Sequence, residues 1–225
     1  MKINIAIDGP SGAGKSTIAD RLAGILGYVH LDTGAMYRCT ALKAMQENIP
    51  LNDEDAVCRM LAETDIQMTP EGGIFLDGSD VTDEIRGNSI SMAASDVSKL
   101  KRVREDLVRR QQFMAESKGF IMDGRDIGTV VLKDAEAKIF LTAISKARAE
   151  RRWLQNMKKG ITDKTKEEIQ IEIEQRDKQD TNRKNSPLKK ADDAIEIDSS
   201  YMSIDEVVNA IMNIVKPLIS SGDGK

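Results

Sequence analysis

Gly9-Pro10-Ser11-Gly12-Ala13-Gly14-Lys15-Ser16 fills the pattern G-x-x-x-x-G-K-[ST], after the apolar run Ile3 to Ile7 and at the head of the helical stretch Thr17 to Leu26. A strand, a glycine-rich turn and a helix in that order make a phosphate cradle. The glycines let the chain curl so that consecutive N–H groups point inward, the helix N-terminus adds positive potential, and Lys15 reaches the outer phosphates. The hydroxyl of Ser16 is suited to Mg²⁺. A plain glycine turn would require neither the lysine nor the hydroxyl. Residues 9 to 17 are therefore the candidate contacts to a nucleoside triphosphate.

Outward from this loop, short strand signals alternate with long helical ones. Ile3 to Ile7, Tyr28 to Leu31, Phe120 to Met122, Lys138 to Leu141 and Ala194 to Ile197 read as five strands, and helical patterns separate them. That order predicts a parallel five-stranded sheet in a three-layer α/β/α fold of the P-loop type. In such sheets ligands bind beyond the carboxyl ends of the strands. Asp8, Asp32, Asp123 and Asp198 all fall at or just after a predicted strand, so the polar chemistry gathers on one edge.

Composition narrows the class. With 225 residues, 31% of them charged, the chain can bury one large core with insertions, and no apolar run is long enough to span a bilayer. Met1-Lys2 passes directly into the first strand and leaves no room for a signal peptide, so a cytoplasmic location is expected. Cys39 and Cys58 lack metal-ligand spacing and are expected as thiols. His30, the only histidine, sits in an apolar run and reads as a packed residue. A net charge of −4 offers no general surface for nucleic acid, although arginines cluster at Arg102 to Arg110 and Arg148 to Arg152.

Two segments interrupt the alternation. Ile66 to Thr69, Gly73 to Asp77 and Asp80 to Thr82 alternate around Pro70-Glu71-Gly72 and Asp77-Gly78-Ser79, which predicts a small antiparallel meander. Gln155 to Lys166 carries Lys158-Lys159-Gly160 between a basic and an acidic helix, and fits a mobile lid or a solvated helical hairpin equally. Near the end, Ser203 with Glu206 forms a capping box for a last helix running to about Val215, before Pro217. Residues 220–225 read as a disordered tail.

A phosphate loop alone does not separate a switch GTPase, an ATPase and a small-molecule kinase. No guanine-reading N-K-x-D segment occurs, and an ATPase motor usually needs more chain, which leaves a compact kinase. Leu31-Asp32-Thr33-Gly34-Ala35-Met36-Tyr37-Arg38, Asp123-Gly124-Arg125-Asp126-Ile127-Gly128-Thr129-Val130-Val131, and Gln175-Arg176-Asp177 with Asp180-Thr181-Asn182-Arg183 join the phosphate loop as marks of the bacterial cytidylate kinases. The chain resembles that family from Ile3 to about Leu218. The resemblance implies a nucleoside monophosphate kinase fold with a core of residues 1–37, 118–147 and 191–219, an acceptor-binding subdomain of about 38–117, and a lid with its following helix over about 148–190. It also implies transfer of the γ-phosphoryl of ATP, with Mg²⁺, to CMP or dCMP.

Site residues follow the same resemblance. Arg38, Arg125 and Arg176 correspond to acceptor-phosphate contacts, and guanidinium forks suit a phosphate dianion. Ser95, Arg104 and Asp126 correspond to cytosine contacts, and Thr33 also falls in the acceptor site. Cytosine offers an N4 donor beside N3 and O2 acceptors, so a carboxylate accepts while Arg or Ser donates. Uracil would set O4 against Asp126, lone pair against lone pair. Ser95 has helix packing as its other reading. Asp180 and Arg183 correspond to the acceptor sugar and share a helix face if the helix persists that far.

Arg148, Arg151 and Arg152 lie in the helix entering the lid, with Arg148 and Arg152 the catalytic candidates. Which of them reaches the γ-phosphate stays open, as does pairing with Glu150. Asp123 resembles an acid that holds Mg²⁺ through water. The expected partners are these small molecules alone, with no nucleic acid and no membrane, for a monomeric protein. A kinase for UMP or a sugar, or a nucleotide-binding regulator without turnover, are the rival functions.

Overall fold

The computed structural model describes residues 1–69, 72–158, 160 and 164–220. In chain order the first elements are β1 (Ile5–Asp8), α1 (Lys15–Leu26), β2 (Val29–Asp32), α2 (Thr33–Gln46), α3 (Glu54–Ala62), β3 (Ile66–Met68), β4 (Ile74–Leu76), β5 (Ser79–Asp80), α4 (Asn88–Val97) and α5 (Lys101–Met114). They are followed by β6 (Phe120–Gly124), β7 (Ala137–Thr142), α6 (Ser145–Lys158), α7 (Lys166–Asn182), β8 (Ile195–Asp198) and α8 (Ile204–Ser220). Contacts divide the chain into two compact units, residues 1–28 with 118–225, and residues 29–117.

The main sheet runs β2-β6-β1-β7-β8, and its pairings of β1 with β6, β1 with β7, and β7 with β8 are parallel. The three-layer α/β/α fold read from the sequence is the fold observed. Every residue of β1 is buried, which explains why Ile5-Ala6-Ile7 shows no polar alternation: a central parallel strand has no wet face. Ile18, Leu22 and Ala19 of α1 and Val207, Val208, Ile211, Met212 and Val215 of α8 recur at helical spacing and bury against Ile5, Ile7, Ile139 and Leu141. Gly27, in the left-handed region at φ 64, ends α1 by donating to the Ala23 carbonyl.

The four acids fall at strand ends as expected, and the structure corrects two helix bounds read from the sequence. The strands extend to the acids expected at or beyond their ends, so Asp8, Asp32 and Asp198 are the last residues of β1, β2 and β8, and Asp123 lies within β6. Helix α1 begins at Lys15, because the glycine loop feeds the helix directly. Helix α8 opens with the expected box, Ser203 N–H on Glu206 at 2.8 Å and Glu206 N–H on Ser203 at 3.2 Å, but continues through Pro217 to Ser220. A proline inside a helix costs about 3 kcal/mol. Leu218 and Ile219 pack on the core beyond it, and burial of roughly 1 to 2 kcal/mol each offsets that loss. Residues 221–225 of the expected tail lie outside the described residues.

The second unit carries the meander, in the order β3-β4-β5 with Ile66 opposite Leu76 and Met68 opposite Ile74, both pairings antiparallel. Asp77 and Gly78, at φ 49 and 81, make the tight turn between β4 and β5. Pro70 and Glu71 of the first expected turn lie outside the described residues, as does Lys159 of the expected hinge. Two members of the arginine cluster of α5 are held by structural partners: Arg102 binds Glu54 and Asp55, and Arg110 donates to the Leu61 and Thr64 carbonyls at the end of α3. Cys39 is buried, its thiol pushed up to about 11 by burial, and both cysteines are free. Among the described residues no helix is long and apolar enough to cross a membrane.

Candidate active site

The phosphate loop sits at the carboxyl end of β1 and is held by groups far away in sequence. Gly9 stands at φ 149, and a Cβ there would lie 1.9 Å from the Leu141 carbonyl oxygen of β7, so only glycine fits. Ser11 is gripped from both sides: its N–H donates to Asp177 Oδ1 at 3.3 Å, and its carbonyl accepts from Arg148 at 2.9 Å. Ser199 donates to the Ala13 carbonyl at 3.3 Å and is itself held by Arg151. The loop is thus braced by α6, α7 and the turn after β8. Arg151 acts through Ser199, and Glu150 pairs with Lys166 rather than with an arginine of its own helix.

Lys15, only 6% exposed, donates through Nζ to the Pro10 carbonyl at 2.9 Å. Burial first, then the charge of Arg125, lower its pKa to about 7, while Asp123 and Asp8 oppose. A cation that is costly to keep charged at the floor of a glycine loop is poised for an incoming polyphosphate. Ser16 and Thr17, on the exposed side of α1, follow it, and Ser16 Oγ donates to Asp123 Oδ2 at 3.0 Å. A hydroxyl and a carboxylate side by side are hard oxygen donors that fit Mg²⁺. Among the described residues no cluster of three or more His, Cys, Asp or Glu could hold a metal by itself. Such a sparse set suits an ion that keeps most of its waters and leans on substrate phosphates.

Beyond β6 the same unit gathers Arg125, Asp126, Arg176, Asp180 and Arg183. Arg125 Nε donates to Asp180 at 2.8 Å, and Arg183 lies 3.9 Å from Asp180 and 4.0 Å from Asp126. Burial pushes the Asp180 carboxyl up, but Arg125, Arg176 and Arg183 outweigh it and hold it below the usual carboxylate range. Burial likewise opposes the charge on Arg125, and Asp180 outweighs it. Arg183 falls one residue beyond α7, in extended backbone with ψ 143. The shared helix face expected for Asp180 and Arg183 is therefore replaced by a turn, in which Arg183 donates to the Ser186 carbonyl at 2.6 Å. Arg152, on α6, is half-buried.

The second unit holds the remaining predicted residues. Asp32 caps α2 by accepting from the Ala35 N–H at 3.2 Å and pairs with Arg38 at 2.7 Å. Burial alone would raise Asp32, but Arg38 more than compensates and lowers it. The Arg38 Nε is buried with no acceptor among the described residues. Thr33 is the buried first residue of α2. Ser95 and Arg104 are both buried and meet through one residue: Ser98 donates to the Ser95 carbonyl at 2.9 Å, and Arg104 donates to the Ser98 carbonyl at 3.4 Å. The Arg104 guanidinium lies over the Tyr37 ring, 5.4 Å from its centre, which fixes its plane.

Sequence reasoning missed Asp177 and Asp8 as parts of this apparatus. Asp177 was visible within Gln175-Arg176-Asp177, but its partners are remote in sequence, and Asp8 was visible only as a strand-end acid.

A sequence model of the family described as Cytidylate kinase matches residues 5–217. The chain is 52% identical to a cytidylate kinase of Caldicellulosiruptor saccharolyticus over 98% of each chain, and 50% identical to one of Pediococcus pentosaceus over 96% of each. Among solved structures, a gluconokinase from Sinorhizobium meliloti shares the fold with a TM-score of 0.52 at 14% identity, over 98% of this chain and 95% of that one.

Proposed function

The chain belongs to the cytidylate kinase family, and from that premise we propose how its residues divide the work of the reaction. It is a nucleoside monophosphate kinase that phosphorylates CMP and dCMP with ATP as the donor. The observation that carries the division is Lys15, buried at the floor of the loop with its Nζ on the Pro10 carbonyl at 2.9 Å and its pKa lowered to about 7 by burial.

The loop N–H groups and Lys15 hold the donor phosphates, with Arg148 and Asp177 keeping Ser11 in place. Ser16 and Asp123 would hold Mg²⁺, which would supply charge neutralisation to the donor phosphates. Arg38, Arg125 and Arg176 neutralise the acceptor phosphate, which is nucleophilic near neutral pH and needs no general base. Asp180 keeps Arg125 aimed and charged, and with Arg183 serves the acceptor sugar. Ser95, Arg104 and Asp126 read the base, with Thr33 completing the acceptor set. Arg152 is the candidate for closing on the transferring group. In-line transfer then needs positioning and charge neutralisation, with no covalent intermediate. We also take the protein to act as a monomer in the cytoplasm, where its thiols stay reduced.

A coupled ADP-release assay across CMP, dCMP, UMP, AMP and GMP tests this reading. CMP and dCMP are expected to turn over, with UMP used roughly ten- to a hundredfold less well in kcat/KM, since a mispaired buried polar group costs about 1 to 3 kcal/mol. Equal use of UMP would overturn the base-reading roles. No turnover with any monophosphate would favour a nucleotide-binding regulator.

A further inference from the structure

An aspartate that opens a helical turn ordinarily accepts from the first N–H groups of that turn, which have no partner within it. Asp126 occupies this position before the wide turn Ile127–Val131, with φ −145 and ψ 27, yet its side chain makes no such bond. The bonds come from another strand. Asp8 Oδ1 accepts from the Ile127 N–H, and Asp8 Oδ2 accepts from the Gly128 N–H, each at 2.7 Å. Asp8 is the last residue of β1, next to Gly9 of the phosphate loop, and is 4% exposed.

The approach is built in on the other side as well. A Cβ on Gly128 would lie 3.4 Å from Asp8 Oδ2, in ordinary contact, and 3.2 Å from the Lys138 side chain, so the carboxylate and the lysine stem pack directly on this glycine. Burial pushes Asp8 up to about 6 despite those two bonds, with the charge of Asp126 adding to the rise and Lys15 opposing it. A carboxylate this far from water depends on the two N–H groups for its solvation, just as they depend on it.

We propose that Asp8 is a positioning residue for acceptor choice: it caps the turn after Asp126 in place of Asp126 itself, and so keeps the Asp126 carboxylate set toward the base and not folded back onto that turn. Asp126 and Arg125 then stand on backbone fixed from the strand that carries the donor loop. This rests on the reading of Asp126 as a base contact. Without Asp8, the nearest acceptor in sequence for the Ile127 and Gly128 N–H groups is Asp126, which would turn back to cap its own turn.

The test measures kcat/KM for CMP and UMP, and KM for ATP, in Asp8→Asn, Asp126→Asn and the double variant. Asp8→Asn keeps the size of the side chain and one acceptor oxygen, but sets an amide donor against the second N–H, so one of the two bonds is lost. It is expected to narrow the CMP to UMP ratio about tenfold, as one mispaired buried group would, with KM for ATP within about threefold. The double variant is expected to show no narrowing beyond Asp126→Asn alone, since both changes act through one carboxylate. Gly128→Ala, which presses a methyl on the Lys138 side chain beside the same bond without altering β1, is expected to shift the ratio in the same direction and carries the test if Asp8→Asn does not fold. A narrowed ratio in Asp126→Asn, with equal losses for CMP and UMP in Asp8→Asn and Gly128→Ala, overturns the proposal alone. An unchanged ratio in Asp126→Asn overturns the base reading and the proposal with it.

Discussion

Arg148 and Asp177 form an ion pair at 2.6 Å, with the backbone of Ser11 bonded to both partners. The pair ties α6 and α7 to the first turn of the phosphate loop. Removing the carboxylate would leave a buried guanidinium without its counter-charge, and breaking such a pair from one side costs about 3 kcal/mol. Asp177→Ala is expected to lose roughly that much in urea unfolding and to raise KM for ATP severalfold while KM for CMP changes little. Arg148→Met with Asp177→Leu should be less destabilised than Asp177→Ala alone. Unchanged ATP kinetics in a folded Asp177→Ala protein would remove the pair from the support of the loop.

The loop itself was legible because its motif specifies strand, turn and helix at once, and the apolar spacing of α1 and α8 carried the rest of the core. The four strand-end aspartates were legible as a group but not by task. Asp123 meets Ser16, Asp32 caps its own helix, Asp198 holds Ser200 at 2.9 Å, and Asp8 reaches Ile127 and Gly128. Spacing along a chain reports neighbours on one element, whereas the partners of Asp8 and Asp123 are chosen by sheet order, which brings residues more than a hundred positions apart side by side. The continuation of α8 through Pro217 was illegible for a related reason: local propensity argued for an end, and burial of Leu218 and Ile219 decided otherwise.

Lys15 links stability and activity with opposite signs. Its folded pKa, about 7, lies below the ordinary lysine value of 10.5, so between these values the unfolded chain holds a proton that the folded chain has released. This group therefore adds stability as pH rises through that window, and its charged form is a cost near pH 7. Lys15→Met is expected to unfold at the same or a higher temperature than the natural chain in the absence of nucleotide. Transfer should fall by about a thousandfold, the effect of losing a preorganised charge at the reacting phosphates. A folded variant with near-normal turnover would sink the loop assignment, and a clear drop in unfolding temperature would sink the sign.

The same shift predicts proton uptake on donor binding. Phosphate oxygens favour the ammonium, so ATP should restore a proton to Lys15 at pH 7.5, where burial and Arg125 have partly removed it. Titration calorimetry in buffers of different ionisation heat is expected to show an uptake of roughly three quarters of a proton in the natural chain beyond that in Lys15→Met. Equal proton release or uptake in both proteins would show that Lys15 is already charged before ATP arrives.

Trp153 offers a test of movement in the hairpin of α6 and α7. Its ring packs with Ala149, Ile169 and Ile173, and the Lys166 ammonium sits 4.8 Å from its centre. That small cluster is the only buried apolar core formed by these two helices among the described residues, and so few buried groups leave a hairpin free to shift at modest cost. A solvated hairpin without a role would keep Trp153 in one setting. A lid that closes over donor and acceptor would change the distance of Lys166 from the ring or the wetting of its edge, and indole emission responds to both. Emission is expected to change when ATP and CMP are present together and to change less with either alone. Lys166→Met, which removes the cation but keeps the stem, should alter the unliganded spectrum and shrink the response. Identical spectra with and without both ligands at saturation would place the hairpin outside the catalytic motion.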